Sequence, residues 1–576
     1  MLKIIQYCFS LVLFIVFSQC QTVKLTPYAQ TTVCNPMDLN YRFSLEGVSR
    51  REGADPTVVL FQGEYYLFAS KSGGYWHSTD LIHWDFITSA QLPFEDYAPT
   101  AVVIKDAIYF MASNNNAPIT IYKTTNPKSG KWEVANANFP IAMIDPDLFL
   151  DDDNRLYLYY GCSNVDPLYA VELDLKTLNP ISKPIECFNS NKSIYGWEQF
   201  GNYNELPQNP WIEGAWMNKY KGKYYLQYAG PGTRFKSYSD GVYEANNPLG
   251  PFTLAKHNPM SIKPEGFATG AGHGSTFEDK YGNYWHIATM VVTVRDKFER
   301  RLGLFPAFFD KDGVLATDTS FGDFPFRMPQ NKINSPEELF PEWMILSYKK
   351  NIEASSEMEG YEKSNASDEE IRTSWSAKTG NTGEWISIDL GTKSTIHAVQ
   401  INYAENETNL YGYHPELKHQ YLLEYSNDNK TWKTAIDNRK NQKDVPHHYT
   451  QLPKPITARY IKLTNHGVPD GTFAISDFRI FGNAQGKRPA NETIFSVERK
   501  TTDKRTVQLK WEKPSDAIGH NVRYGISPDK LYHTYQVLGN NEITIRTLNA
   551  NQNYYFTVDA FNENGVKKGT KIIEAK

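Results

Sequence analysis

Asp55, Asp145 and Glu213 stand in Ala-Asp-Pro-Thr, Ile-Asp-Pro-Asp and Ile-Glu-Gly-Ala, each at the head of a short run of apolar residues. Taken singly, Asp-Pro is a turn former and Glu-Gly a solvated strand start. Taken together, the three fall at the same point of a repeated unit, where like charges gathered in a partly dry place repel one another. Structure alone favours small or apolar residues there; general acid–base chemistry needs the acids. One carboxyl stays ionised and draws a proton from water, a second must be protonated near neutral pH to supply a leaving oxygen, and a third nearby raises the pKa of the second. Cleavage of a glycosidic bond divides its labour this way. Asp147, two residues further on, rivals Asp145.

The elements that must position these acids are legible as a loose internal repeat over residues 50–320. Its units open at Ala54, Ala98, Asp145, Glu213 and Gly272 and run strand, turn, aromatic strand. Each carries a hairpin signal: Gln62-Gly63, Lys105-Asp106, Asp153-Asn154, Lys221-Gly222 and Tyr281-Gly282. Repeats of this length with several strands each are propeller blades, and five units predict five blades over residues 21–335. The innermost strand of each blade lines a common axis, so residues at strand starts converge on one cavity. The wide spacing from 145 to 213 leaves room for an insertion around 186–210.

The character of the chain changes near residue 345. EWISIDLG, YLLEYSNDNKTW, ARYIKLTN and AISDFRIFG are spaced strands of a β-sandwich, and residues 345–483 resemble the discoidin, or F5/8 type C, domain. NAQGKRPANET (483–493) is a linker. Residues 490–576 follow with Trp511 on an early strand and Leu548 six residues before Tyr554, which resembles the tyrosine corner of a fibronectin type III domain. The fold class is therefore all-β: a five-bladed propeller followed by two sandwiches.

At 576 residues the length suits three or four domains. Sixty Lys and Arg against 65 Asp and Glu exclude nucleic acid as the main partner, and 14% aromatics suit β-cores and sugar faces alike. Lys3, the apolar run CFSLVLFIVF (8–17) and Ser18-Gln19-Cys20 read as a leader over residues 1–20, so export to a bacterial periplasm or cell surface is expected. Cys20 is either the lipidated first residue of a lipoprotein or lies just before a cleavage site. Of Cys34, Cys162 and Cys187, the last two either form a disulfide or are buried free thiols; their spacing matches no zinc site.

Residues 35–325 resemble glycoside hydrolase family 43. The resemblance rests on ADPTVV at Asp55, IDPDLFLDDDNRLYL at Asp145, WIEGAWMNKYKGKYYL at Glu213, GAGHGS at His273 and RRLGLFPAFFDKDGVL at Arg300 and Arg301. It implies Asp55 as general base, Asp145 as tuner, Glu213 as general acid, and an inverting displacement. It implies an axial His273 beside water or a calcium ion, no required cofactor, and an arginine (Arg300 or Arg301) reaching the substrate. Blade 2 departs from the pattern: Tyr97-Ala98-Pro99-Thr100 lacks the usual aspartate. In SKSGGYW (70–76), Lys71, Tyr75 and Trp76 are either substrate contacts at the mouth or loop packing. The implied substrate is an oligo- or polysaccharide releasing pentose by exo action, α-L-arabinofuranosyl first, β-D-xylosyl next and galactosyl or galactofuranosyl as the alternative. The enzyme is expected as a monomer. Retaining relatives carry Asn-Asp-Pro-Asn, Arg-Asp-Pro and Glu-Cys where this chain has Ala-Asp-Pro-Thr, Ile-Asp-Pro and Glu-Gly. A different class, a glycan-binding adhesion protein, has no need of three axial acids.

Overall fold

The computed structural model describes residues 30–94, 97–512 and 516–576. The leader expected over 1–20, with Cys20, lies outside them. Among the described residues no helix is long and apolar enough to cross a membrane.

The hairpin signals act where they were expected. Gln62 and Gly63 have φ of 53° and 81°, and Lys221 and Gly222 have 49° and 80°. Positive φ at both central residues is what a tight hairpin between twisted strands requires. Around such turns residues 54–317 fold into five blades of four antiparallel strands: three are separate sheets, and the last two are joined into one eight-stranded sheet by a parallel bridge from Ser239 to Ala271. Their innermost strands are Ala54–Phe61, Thr100–Ile104, Asp147–Leu150, Glu213–Tyr220 and Thr269–Glu278. Each touches the next, and the fifth touches the first, which closes a five-bladed propeller. Apolar and aromatic side chains fill the seams. Phe68, Phe110 and Trp132 meet between blades 1 and 2 with ring centroids 5.4 to 5.9 Å apart.

The expected insertion leaves the outer strand of blade 3 (Ile185–Phe188) and returns at Glu213. It is anchored by Trp197, fully buried against Tyr228, and by Glu198, which accepts the Tyr228 hydroxyl at 2.6 Å.

A strap of N-terminal chain crosses the seam between blades 5 and 1. Thr32–Val33 pairs with Phe326–Arg327, the Asn35 side chain bonds the Leu304 and Gly322 carbonyls, and the Met37 amide bonds the Leu302 carbonyl. Thr32 also reaches the next module, donating to Gln451 Oε1 at 2.8 Å and pairing with the Tyr449 hydroxyl at 2.7 Å.

That module is a β-sandwich built on two long strands, Trp385–Tyr403 and His447–Gly467, with Ala474–Ala484 paired to the first. Register shifts at Asp389/Ser394 and Ile396/Ala398 let one strand serve both layers. The core holds Trp375, Ile386, Ile401, Leu463 and Phe478. A third unit stacks a three-stranded sheet (Phe495–Arg499, Val507–Trp511, Glu542–Ile545) on a five-stranded one centred on Gly519–Gly525 and Tyr554–Asn562. Trp511, Tyr524 and Tyr554 lie in its core, and Tyr554 accepts the Asn549 amide at 3.0 Å.

Buried charges join the modules. Arg51 beside blade 1 pairs with Glu405 and Asp444 of the sandwich; Arg479, paired within the sandwich with Glu369 at 2.9 and 2.8 Å, bonds the Asp323 carbonyl of the propeller.

Candidate active site

The acids sit where the backbone is held in an uncommon conformation. Asp55, Ala98, Asp145 and His273 lie at the mouths of blades 1, 2, 3 and 5, all with φ between 46° and 54°. Blade 4 places Gly214 there, at 64°. For a residue with a Cβ this costs about 1–2 kcal/mol, and each position is held from the preceding blade. Thr289 Oγ1 accepts the Asp55 amide at 2.9 Å, Ser70 Oγ the Ala98 amide at 2.6 Å, Ser113 Oγ the Asp145 amide at 2.8 Å, and Asp240 Oδ1 the His273 amide at 2.7 Å. Gly214 is required for a second reason: a Cβ there would lie 2.7 Å from the His273 ring.

The three carboxylates converge but differ in company. Asp55 accepts the Ser70 hydroxyl at 2.6 Å and Arg300 Nη1 at 3.3 Å, with His273 Nδ1 at 3.2 Å. Burial opposes its ionisation, yet Arg300, His273 and the two hydroxyls outweigh burial and hold Asp55 below the usual carboxylate range. Asp145 has weaker support, the Gly214 amide at 3.3 Å and His273 Nδ1 at 3.8 Å. Burial first, then the charges of Glu213 and Asp55 against the pull of His273, pushes it up to about 7. Glu213 accepts the Tyr238 hydroxyl on Oε1 at 2.5 Å and the Cys162 thiol on Oε2 at 3.1 Å. Asp145, Cys162 and Glu213 have ligating atoms within 4.8 Å of one another, the one such metal-competent trio among the described residues. His273 is not in that trio. Its burial disfavours charge, but Asp55, Asp145, Glu213 and Asp240 overcome this and raise its pKa.

These groups line one cavity of about 400 Å³, walled by Tyr97, Ile144, Phe200, Trp211, Thr233, Arg234, Phe235, Lys297 and Phe298. Arg300 is fixed at its edge by Glu52 at 2.8 Å and by Thr233 Oγ1 at 3.1 Å. The structure thus brings together Asp55, Asp145, Glu213, His273 and Arg300. It places the other candidates elsewhere. Arg301, the next residue on the strand, points to the opposite side and bonds His447 and the Arg51 carbonyl. Tyr75 and Trp76 are corrected to core residues: they lie on the third strand of blade 1, fully buried, with Tyr75 Oη on the Pro127 carbonyl and Trp76 Nε1 on Asn40. Lys71 backs the cavity indirectly, its ammonium 4.4 Å from the centre of the Tyr97 ring. Asp147 faces the seam between blades 3 and 4, accepting the Met217 amide at 2.7 Å. Cys162 and Cys187 are free thiols, so the disulfide alternative is set aside.

Sequence reasoning missed Cys162, Tyr238 and the aromatic wall. A signal for Cys162 is present. At or near the end of the second strand of each blade stand Ala-Ser (69–70), Ala-Ser (112–113), Gly-Cys (161–162), Ala-Gly (229–230) and Ala-Thr (288–289); in blades 1, 2 and 5 the last of these residues holds the next mouth, while blade 4 uses Asp240. In blade 3 that last residue reaches the Glu213 carboxylate rather than an amide.

Residues 46–315 match the family model Glycosyl hydrolases family 43, and residues 351–476 match the F5/8 type C domain model. The β-D-galactofuranosidase xynD of Aspergillus niger is 23% identical over 266 residues, 40% of this chain and 72% of that protein. A xylosidase/arabinosidase of Butyrivibrio fibrisolvens is 23% identical over 265 residues, 40% of this chain and 48% of that protein. A solved structure named Glycoside hydrolase is 20% identical with a TM-score of 0.44, covering 74% of this chain and 97% of that one.

Proposed function

We propose, from the premise that this chain is a glycoside hydrolase carrying a family 43 domain over residues 46–315, that it releases single sugars from polysaccharide side chains with inversion. The observation that carries this reading is the unequal company of the three acids in one cavity. Asp55, held ionised by Arg300 and His273, is the general base that takes a proton from the attacking water. Asp145 and Glu213 face each other within 4.8 Å, and burial with the charges of Glu213 and Asp55 lifts Asp145 to about 7, so Asp145 carries a proton into the neutral range. Glu213 passes a proton to the departing oxygen, with Asp145 beside it as the neighbouring carboxyl that tunes the site. A water between Asp55 and the anomeric carbon requires roughly 6.5–9.5 Å between base and acid, the spacing of inverting enzymes.

An exo action suits a cavity of about 400 Å³ backed by the propeller axis. Trp211, 41% exposed at its rim, offers a flat apolar face to the sugar beyond the bond. The similar xylosidase/arabinosidase and galactofuranosidase both support a furanose or pentose, and α-L-arabinofuranosyl is the substrate proposed first, with β-D-xylosyl and galactofuranosyl after it. Export, through the leader at 1–20, with or without a lipid on Cys20, and a monomeric state complete the reading. The third unit, with Tyr554 bonded to the Asn549 amide, is read as fibronectin type III-like.

The test is hydrolysis of nitrophenyl glycosides and matched oligosaccharides by wild type, Asp55→Asn and Glu213→Gln. Asp55→Asn should lose activity on both. Glu213→Gln should lose about 10²–10⁴-fold on oligosaccharides and less on nitrophenyl glycosides, whose leaving group needs little protonation. NMR of the fresh product should show the inverted anomer; a retained anomer refutes the scheme. Glycan binding without any turnover by the wild type would favour the adhesion reading.

A further inference from the structure

The cavity wall beside Glu213 consists of two loops, and each is held by a different C-terminal module. The first is the insertion, which carries Phe200 and Trp211. Residues 194–196 of this loop lie against residues 546–550 of the third unit. The Gly196 amide donates to the Leu548 carbonyl at 3.0 Å, the Ala550 amide donates to the Ile194 carbonyl at 2.9 Å, and Tyr195 bridges Asn549. Arg505 adds a bond to the Lys192 carbonyl at 2.5 Å. The approach is close: a Cβ on Gly196 would lie 2.1 Å from the Arg546 carbonyl oxygen. The accepting segment is itself the corner that Tyr554 fixes through the Asn549 amide.

The second loop carries Thr233, Arg234 and Phe235. Residues 370–372 of the F5/8 type C module hold it. Glu370 pairs with Lys236 at 2.5 Å, and Arg372 bonds the Val292 carbonyl at 2.9 Å and the Arg234 carbonyl at 3.5 Å. Ile371 is buried among Phe267, Met290 and Phe305 of blade 5. The two loops then lock to each other. Phe200 and Phe235 meet edge to face at 4.5 Å, the Arg234 guanidinium covers both rings, and Ser237 bonds the Gly201 carbonyl at 2.7 Å.

We infer that the two C-terminal modules are positioning elements of the active site. They hold the Phe200–Arg234–Phe235 wall in the shape that receives the part of the substrate beyond the scissile bond. A loop of this length with so few strand bonds of its own moves unless its ends are held, and a wall that moves must be ordered by the substrate at a cost in affinity. The wall adjoins Glu213, which protonates the leaving group, so the inference rests on the assignment of Glu213 as acid. Arg505 and Arg372 act through the loops and touch no reacting atom.

The experiment uses the full chain with Arg505→Ala, Arg372→Ala and Gly196→Val. Two readouts are taken: hydrogen exchange at residues 194–204 and 232–237, and steady-state kinetics on 4-nitrophenyl α-L-arabinofuranoside, β-D-xyloside and β-D-galactofuranoside with the corresponding trisaccharides. The expected result is faster exchange in the loop whose brace is cut, a 5- to 20-fold rise in KM for the trisaccharide, and less than a 2-fold change in kcat on the aryl glycoside. Unchanged exchange and KM in Gly196→Val and Arg372→Ala overturns the inference. So does a parallel fall of kcat on both substrates, which would mean a collapsed fold rather than a loosened wall. Should the wild type cleave none of these glycosides, the assignment of Glu213 fails while the exchange readout still decides whether the modules hold the loops.

Discussion

Asp55 and Asp145 have the same sequence context, a small or apolar residue before and proline after, and the same left-handed backbone. Their different chemistry comes from neighbours the local sequence does not show. Arg300 lies 245 positions from Asp55 and outweighs burial there; Asp145 has two acids and no arginine. The Asp145 proton is therefore lost near 7, and the alkaline limb of the kcat/KM profile is expected there. Asp145→Asn removes the group that titrates there, so that limb should move, with a roughly 10²-fold fall in kcat/KM at pH 7. A limb that stays in place would remove Asp145 from the tuning role. Adjacent candidates could not be separated in the sequence because strand neighbours face opposite ways: only the structure assigns the cavity to Arg300 and the module interface to Arg301. Tyr75 and Trp76 were ambiguous because Gly73-Gly74 reads as loop, whereas Gly74 begins a strand that buries both rings.

At the scale of the strand, the residue two places past the mouth ties blade 2 to blade 3 and blade 3 to blade 4. Thr100 Oγ1 accepts the Leu148 amide at 3.1 Å and Asp147 Oδ2 the Met217 amide at 2.7 Å. Thr100 thus does in blade 2 what Asp147 does in blade 3. Asp147 does so in a dry seam, where burial, opposed only by the Met217 amide, pushes its pKa up to about 8. The folded state keeps a proton that the unfolded chain loses above about 3.9. Stability from this group is therefore full at low pH and declines as pH rises toward 8. Asp147→Asn keeps an acceptor for the amide and removes the decline. Its stability should fall by up to about 1.4 kcal/mol less per pH unit than wild type between pH 5 and 8, measured by denaturant melts, with activity retained. An activity loss equal to that of Asp145→Asn would place Asp147 in the chemistry. Gly214→Ala tests the mouth itself: the backbone strain and the contact with His273 should cost at least 10-fold in kcat/KM, which assays on the folded variant would show. The hairpins and mouths were legible because turns and repeats are local signals. The hydroxyl-bearing strand ends were equally local, and only their pairing with the next blade hid their meaning.

Across the whole molecule, the contacts that join modules lie hundreds of positions apart and leave no periodic trace, so two sandwiches were legible as folds but not as supports. Some of these interfaces are buried and charged. Arg479→Ala would cut the bond to the Asp323 carbonyl of the propeller and strand Glu369 inside the sandwich, and a cost of about 3–5 kcal/mol is expected in thermal melts of the full chain. Others are buried and neutral. His533 stacks on His257 at 4.1 Å, bonds the Pro259 carbonyl at 2.7 Å, and is brought down to about 4 by burial. The unfolded imidazole gains its proton from about 6.5 downward while the folded one resists until about 4. The stability this gives above pH 6.5 is lost as the pH falls through that window. Wild type should therefore lose more stability than His533→Gln between pH 6.5 and 4.5; equal losses would mean that this contact opens before it titrates.

The strap at residues 31–43 sets an order of events during synthesis. Thr32 bonds Gln451 and Tyr449, more than 400 residues later in the chain, so its attachment cannot be completed until the F5/8 type C module has left the ribosome. Until then the seam between blades 5 and 1 lacks part of its fastening, and contacts of such long sequence separation form slowly. A nascent chain stopped before residue 450 should expose the strap to protease while the blades already resist it.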